Sequence, residues 1–214
     1  MAKIALLAGS TGLIGSQLLE LLLNDSRYAS VIAISRKPIA NTNPKLINLV
    51  CGLHDLSNHS DQLKADDIFC CLGTTIKKAK SKEAFRAVDL DAPLLIAKIS
   101  KEQGAKKYLL VSSLGANKNS NIFYNKVKGE VEDAIQGVGF DSFHILRPSL
   151  LFGPRKEERT GEDAAKFFYK VFGLLVPKKY QAIESIKVAR AMLAFAQQDQ
   201  TGIIVHESDE LQSF

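Results

Sequence analysis

An α/β fold built on a doubly wound parallel sheet is predicted by three observations. Short runs that are almost wholly apolar alternate with stretches of helical period. The runs show no in–out alternation of polar residues. The stretches between them are punctuated by glycine or proline. Parallel strands joined by helical crossovers are covered on both faces, so they read as continuous apolar runs. A chain of 214 residues is the size of one domain, or of one domain with a small appendage.

Lys3–Ala8 opens the chain as a buried strand, and Leu13–Asn24 follows as a helix with Leu18, Leu19, Leu22 and Leu23 on its apolar stripe. Val31–Ser35 and Leu46–Val50 read as the second and third strands, and Asp67–Leu72 as the fourth, stopped by Gly73. Ser81–Gln103 reads as one long helix with Ser81 as its cap and Gly104 as its stop, kinked or interrupted at Pro93. Tyr108–Ser112 is the fifth strand. Phe123–Gln136 is a helix closed by Gly137 and Gly139. Phe143–Leu146 is the sixth strand, halted at Arg147-Pro148. Helices over Glu162–Leu175 and Glu184–Gln197 and a short strand at Ile203–His206 complete the chain. The polar loop Gly153–Gly161 separates a nucleotide-binding body, residues 1–152, from a small C-terminal substrate part, residues 153–214, within a single domain.

Composition excludes several classes. Hydrophobic residues make up 46% and charged residues 24%, close to the globular average and unlike disorder, coiled coil or collagen. A net charge of +5 permits an anionic partner without naming one. Cys51, Cys70 and Cys71 have no metal-ligand or disulfide-framework spacing, which fits a reducing compartment. No segment stays apolar for the 18 residues a membrane helix requires. The first apolar run, Ile4–Ala8, is too short for a secretion signal. These features lead to the expectation of a cytoplasmic protein away from membranes.

The turn after the first strand is the most informative stretch. Gly9-Ser10-Thr11-Gly12-Leu13-Ile14-Gly15 carries glycines three apart, between a strand and a helix. Gly9 permits the tight turn, Gly12 lets backbone approach a diphosphate, and Gly15 lets the helix lie close to the strand. The helix N-terminus then offers N–H groups and partial positive charge to phosphate. A plain structural turn would use the same glycines, but the strand–turn–helix context is the one the dinucleotide motif requires. The second strand ends at Ser35-Arg36-Lys37. A cofactor with a free ribose 2′-hydroxyl is usually held by an acid at this point. Arg36 and Lys37 stand there instead. A guanidinium suits a 2′-phosphate by charge and fork geometry, which favours NADP(H) over NAD(H); a solvated loop pair is the alternative. Cys71-Leu72-Gly73-Thr74 closes the fourth strand at the border of the cofactor crevice, where Gly73 either admits the adenosine or simply turns the chain. The cysteines there read as core residues.

Tyr124 and Lys128 are four residues apart on a predicted helix and share a face, just after Ser112 and Ser113 at the end of the fifth strand. An unperturbed phenol titrates near 10, too high for efficient acid–base work at neutral pH. A nearby ammonium stabilises the phenolate. Tyr124 could thus exchange a proton with a substrate oxygen held by Ser113, with Ser112 as the competing serine, while Lys128 holds the phenolate or the nicotinamide ribose. A Tyr at the core edge with a solvated Lys is the structural alternative.

These residues resemble the short-chain dehydrogenase/reductase superfamily through GSTGLIG, VSS and the Tyr124-x-x-x-Lys128 motif. Within it, CLGTT, VDLDAP, SSLGANKNS, YNKVKGEVE and RPSLLFGPR resemble the atypical group typified by the HIV Tat-interacting oxidoreductase of animals. The resemblance reaches across most of residues 1–155. It implies a Rossmann body, NADP(H), Tyr124 as proton donor and acceptor, Lys128 as its partner and Ser113 as oxygen holder. It would also bring Leu150 and Arg155 near the nicotinamide and phosphate end. Many such reductases carry an Asn on the fourth helix that serves a proton relay; Asp89 stands at the corresponding position here.

Other features carry less. Lys77, Lys78, Lys80 and Lys82 form a basic cluster that reads as a solvated loop, or as a contact for an anion. No aromatic residues interleave with it, so nucleic acid is not expected. His54, His59, His144 and His206 have no metal-ligand spacing, so no metal is expected, and His144 reads as a satisfied core or edge residue. Phe167, Phe168, Tyr169 and Phe172 form an aromatic stripe that suits the sheet, a substrate pocket or a dimer face. The reading is an NADP(H)-dependent oxidoreductase acting on a small carbonyl or alcohol. A non-enzymatic NADP(H)-binding regulator or assembly factor, with a homodimer or protein partner, is the second reading. A nucleotide-sugar epimerase is the third, disfavoured by the short tail.

Overall fold

The computed structural model describes residues 2–154 and 177–214. Seven parallel strands form one sheet: β1 (Lys3–Ala8), β2 (Tyr28–Ser35), β3 (Leu46–Val50), β4 (Asp67–Cys70), β5 (Lys107–Val111), β6 (Ser142–Arg147) and β9 (Gly202–Glu207), in the spatial order β3-β2-β1-β4-β5-β6-β9. A two-residue parallel pair, β7 (Leu151–Phe152) with β8 (Ile183–Glu184), lies beyond β6. The order reverses between β1 and β4. In open sheets of this kind ligands bind outside the carboxyl ends of the strands at such a reversal.

Helices cover both faces. Helix α1 (Leu13–Asn24) lies beside α6 (Ser185–Ala196) on one face, where Leu18, Leu22, Val188 and Met192 meet Leu7, Phe69 and Leu109 of the sheet. Helices α4 (Ala92–Glu102) and α5 (Phe123–Gln136), with a 3₁₀ segment at Leu53–Leu63 kinked at His59, cover the other. Leu56, Ile96, Val127, Val131 and Ile135 pack there against Leu6, Ile68 and Leu110. Each such fully buried side chain stabilises the fold by roughly 1.5–3 kcal/mol.

The long helix expected over Ser81–Gln103 is three pieces, preceded by a separate short helix. Helix α2 (Ile76–Ala79) and α3 (Lys82–Arg86) come first, and a π-turn over Ala87–Asp91 leads into α4. Ser81 does cap its helix, accepting the Ala84 N–H at 3.0 Å. Pro93 explains the break: a proline ring clashes with the carbonyl four residues back, here that of Asp89, and a wide turn relieves the clash. The Ala92 N–H accordingly bonds the Ala87 carbonyl, five residues back.

The C-terminal part returns to the body. Strand β9 extends the sheet beside β6, and α6 covers it beside α1. The last helix, α7 (Ser208–Leu211), follows β9 directly. His144 is fully buried, a core rather than an edge residue. Its Nε2 lies 3.0 Å from Ser142 Oγ and its Nδ1 2.9 Å from His206 Nε2; His206 Nδ1 in turn lies 3.0 Å from Glu210 Oε1. Burial, with His206 and Lys107 nearby, pushes His144 down to about 4. The expected helix Glu162–Leu175, the aromatic stripe on it and Arg155 lie outside the described residues.

Candidate dinucleotide and acid–base site

The Gly9–Gly15 turn sits at the reversal point. Gly9 has φ +82°, and a Cβ there would fall 2.6 Å from the Cys71 carbonyl carbon, so only glycine lets the ends of β1 and β4 approach. The Gly9 carbonyl accepts the Gly12 N–H at 2.9 Å, and the Gly12 carbonyl accepts that of Ser16 at 2.9 Å. Gly12 precedes α1 with no capping side chain, and the first turn holds no acid. The opening N–H groups of the helix therefore have no side-chain cap, an arrangement suited to an anion. Thr11 and Gly12 are exposed and Leu13 is half-buried. Ile14 places its side chain in the α1–α6 core, which leaves only its backbone facing the turn. Ser10 is buried, and its hydroxyl donates to the Ile34 carbonyl at 3.1 Å, which commits it to holding the turn against β2.

Arg36 and Lys37 are exposed immediately past β2. Among the described residues the Arg36 guanidinium has no carboxylate or hydrogen-bond partner. The turn that carries it is fixed: Ser35 Oγ donates to the Lys37 carbonyl at 2.7 Å and accepts from Asn48 Nδ2 at 2.9 Å, while Asn48 Oδ1 accepts the Ile39 N–H at 2.8 Å. Sequence reasoning missed Asn48, although one amide inside the apolar run LINLV is a signal.

After β4 the chain passes Cys71, half-buried Leu72 and exposed Gly73. Burial raises the thiols of Cys70 and Cys71 and keeps them neutral, consistent with core residues. The Thr74 N–H donates to Asp89 Oδ2 at 2.8 Å. The other carboxylate oxygen of Asp89 lies 2.8 Å from Lys128 Nζ. A Cβ on Gly73 would lie 3.6 Å from Asp89 Oδ1 and 3.8 Å from Lys128 Nζ, so this turn crosses directly over the pair. Tyr124, one helical turn before Lys128, is half-buried, with its ring centroid 5.7 Å from that of Phe85. Burial works against the Lys128 charge, but Asp89 and Tyr124 outweigh it, and the ammonium is held above its ordinary range.

The two serines separate. Ser112 is buried and donates to Glu132 Oε1, and Glu132 is paired with Arg147, whose Nη2 lies 2.5 Å from Oε2. The Ser113 hydroxyl turns instead to the neighbouring Leu114 carbonyl at 3.2 Å. The loop carrying them is clamped on α5: a Cβ on Gly129 would fall 2.1 Å from the Lys118 nitrogen, and the Asn117 N–H bonds the Asn125 carbonyl at 3.0 Å. Glu132, Arg147 and Gly129 were missed from sequence; a glycine in mid-helix is the signal for the last. Leu150 is exposed after β6, and its carbonyl accepts the Ile183 N–H at 2.9 Å.

A family profile described as NAD(P)H-binding matches residues 9–199. The chain belongs to the NAD(P)H-binding family. Similar curated relatives include Protein HTATIP2 of Rattus norvegicus, 34% identical over 198 positions, covering 89% of this chain and 80% of that one. Protein FMP52 of Candida albicans is 35% identical over 222 positions, covering 95% and 94%. Among solved structures the fold is similar to MoeE5 in complex with UDP-glucose and NAD (TM-score 0.73, 18% identity, 98% of this chain and 79% of that one). It is likewise similar to the UDP-N-acetylglucosamine 4-epimerase of Methanobrevibacter ruminantium (TM-score 0.73, 21% identity, 96% and 76%). At those identities the likeness concerns the fold, an NAD(P)-binding Rossmann-type sheet.

The cytoplasmic expectation is overturned by these relatives. FMP52 of Candida albicans and fmp52 of Emericella nidulans are named mitochondrial. A secretion signal or a membrane helix leaves a long apolar run, whereas mitochondrial leaders are amphipathic and Arg-rich and leave none.

Proposed function

We propose that the protein is an NADP(H)-dependent oxidoreductase of the short-chain type, acting on a small carbonyl or alcohol. The observation that carries this reading is the buried Lys128 ammonium one turn from Tyr124, under the Gly73 turn that follows β4. The chain's own groups suit the cofactor: the uncapped start of α1 for the diphosphate and Arg36 for a 2′-phosphate. Leu72, Gly73 and Thr74 would border the adenosine side, with Leu150 toward the nicotinamide end.

The nicotinamide supplies or accepts the hydride when bound. In the reducing direction Ser113 orients the substrate carbonyl oxygen, and the Tyr124 hydroxyl gives it a proton as the carbon gains hydride. Lys128 stabilises the phenolate left behind until solvent returns the proton. The reverse sequence oxidises an alcohol.

The test is NADPH consumption with a broad panel of aldehydes and ketones, for the unaltered protein and for Tyr124→Phe. Turnover should fall by roughly 100-fold or more in the variant, with NADPH affinity within about threefold. NADPH binding with no turnover across the panel would favour the binding-regulator reading instead.

A further inference from the structure

Asp89 is 1% exposed and Lys128 4%. Removing two charges from water is costly, and a well-packed apolar pair of similar volume is often as stable, so a buried ion pair is poorly explained by stability alone. This one has a second contact. Asp89 divides its two oxygens between Lys128 Nζ and the Thr74 N–H, each at 2.8 Å. It projects from the π-turn, where the backbone departs from a regular helix. We propose that Asp89 is a positioning residue whose single carboxylate holds Lys128 as a permanent ammonium and pins the Gly73–Thr75 turn over it, tying the acid–base pair to the wall of the cofactor crevice. This rests on the reading of Tyr124 and Lys128 as the acid–base pair.

Among the described residues, Asp89 is the carboxylate that faces Lys128. Tyr124 approaches from its own helix and the buried Cys70 thiol from β4; Arg86 on α3 is paired with Glu130 on the outer side of α5. Without the carboxylate, the ammonium loses the strongest of the groups that oppose its burial, and only Tyr124 and Cys70 remain on that side. An amide at position 89 keeps an acceptor for the Thr74 N–H and removes only the charge. Alanine removes both.

The experiment follows the Lys128 Nζ signal by NMR in lysine-¹⁵N-labelled protein, identified by its loss in Lys128→Arg, alongside amide exchange at Thr74 and NADPH affinity. In the unaltered protein the ammonium should persist beyond the ordinary lysine value of 10.5. In Asp89→Asn its midpoint should fall by about one pH unit or more, with Thr74 protection retained. Asp89→Ala should add at least tenfold faster Thr74 exchange and about tenfold weaker NADPH binding. An unchanged lysine midpoint in Asp89→Asn, or unchanged Thr74 exchange in Asp89→Ala, overturns the proposal. If the unaltered protein binds neither NADPH nor NADH, the oxidoreductase reading fails, and the lysine and amide signals still decide the role of Asp89.

Discussion

A Cβ on Gly15 would lie 2.1 Å from the carbonyl oxygen of Gly9. The first turn of α1 therefore rests directly on the turn it follows, and that contact sets the distance between the helix N-terminus and the end of β1. Gly15→Ala has backbone on the other side of the clash, so α1 must move. It should lower NADPH affinity by tenfold or more and reduce stability by about 1–3 kcal/mol. Titration by cofactor fluorescence and denaturant unfolding check both.

Arg36 should carry the choice between cofactors. A charge-assisted hydrogen bond contributes about 1.5–3 kcal/mol, so Arg36→Ala should weaken NADPH by roughly 10- to 100-fold and NADH by less than about threefold. Calorimetric titration with both nucleotides measures the difference. An equal loss for the two would remove the 2′-phosphate role.

Ser112 and Ser113 should respond in opposite ways. Ser113→Ala should lower turnover by about 10²- to 10³-fold, as loss of one donor to a reacting oxygen does, with an unchanged melting temperature. Ser112→Ala removes a donor from the buried Glu132 carboxylate, which is paired with Arg147, and should cost about 1–3 kcal/mol of stability. Melting curves and kinetics on the pair of variants separate the roles.

His144 predicts a pH dependence of stability. Its native value of about 4 lies below the ordinary 6.5, so the unfolded chain binds the extra proton between those values. Stability is then fully present above about pH 6.5 and declines as pH falls toward 4, at no more than about 1.4 kcal/mol per pH unit from this group. The groups facing it are His206, Ser142, Lys107 and the Phe195 ring. Unfolding free energies at pH 7 and 5 should differ more for the unaltered protein than for His144→Gln.

Much of this arrangement was legible in the residues. The expected bounds of β1, α1, β3 and α5 coincide with the observed ones, because each is set by a local signal: an apolar run, a leucine stripe or a glycine stop. Gly104 and Gly139, read as stops, both have positive φ. What escaped was set by contacts between distant segments. The π-turn arises where Pro93 meets a backbone that must also aim Asp89 inward. The Ser112–Glu132–Arg147 cluster joins β5, α5 and β6, which no spacing along the chain reveals. The Leu53–Leu63 segment has polar residues through most of its length, and Leu56 and Leu63 are its buried anchors. Strand β2 begins at Tyr28 rather than Val31, since the Tyr28 hydroxyl bonds Asp67 at 2.8 Å and draws that end into the sheet.

A crystal structure with NADP⁺ bound tests the account most directly. The diphosphate is expected on the N–H groups at the start of α1, with the Tyr124 hydroxyl facing the nicotinamide. A diphosphate seated elsewhere, or a Tyr124 hydroxyl turned into the interior, would contradict it.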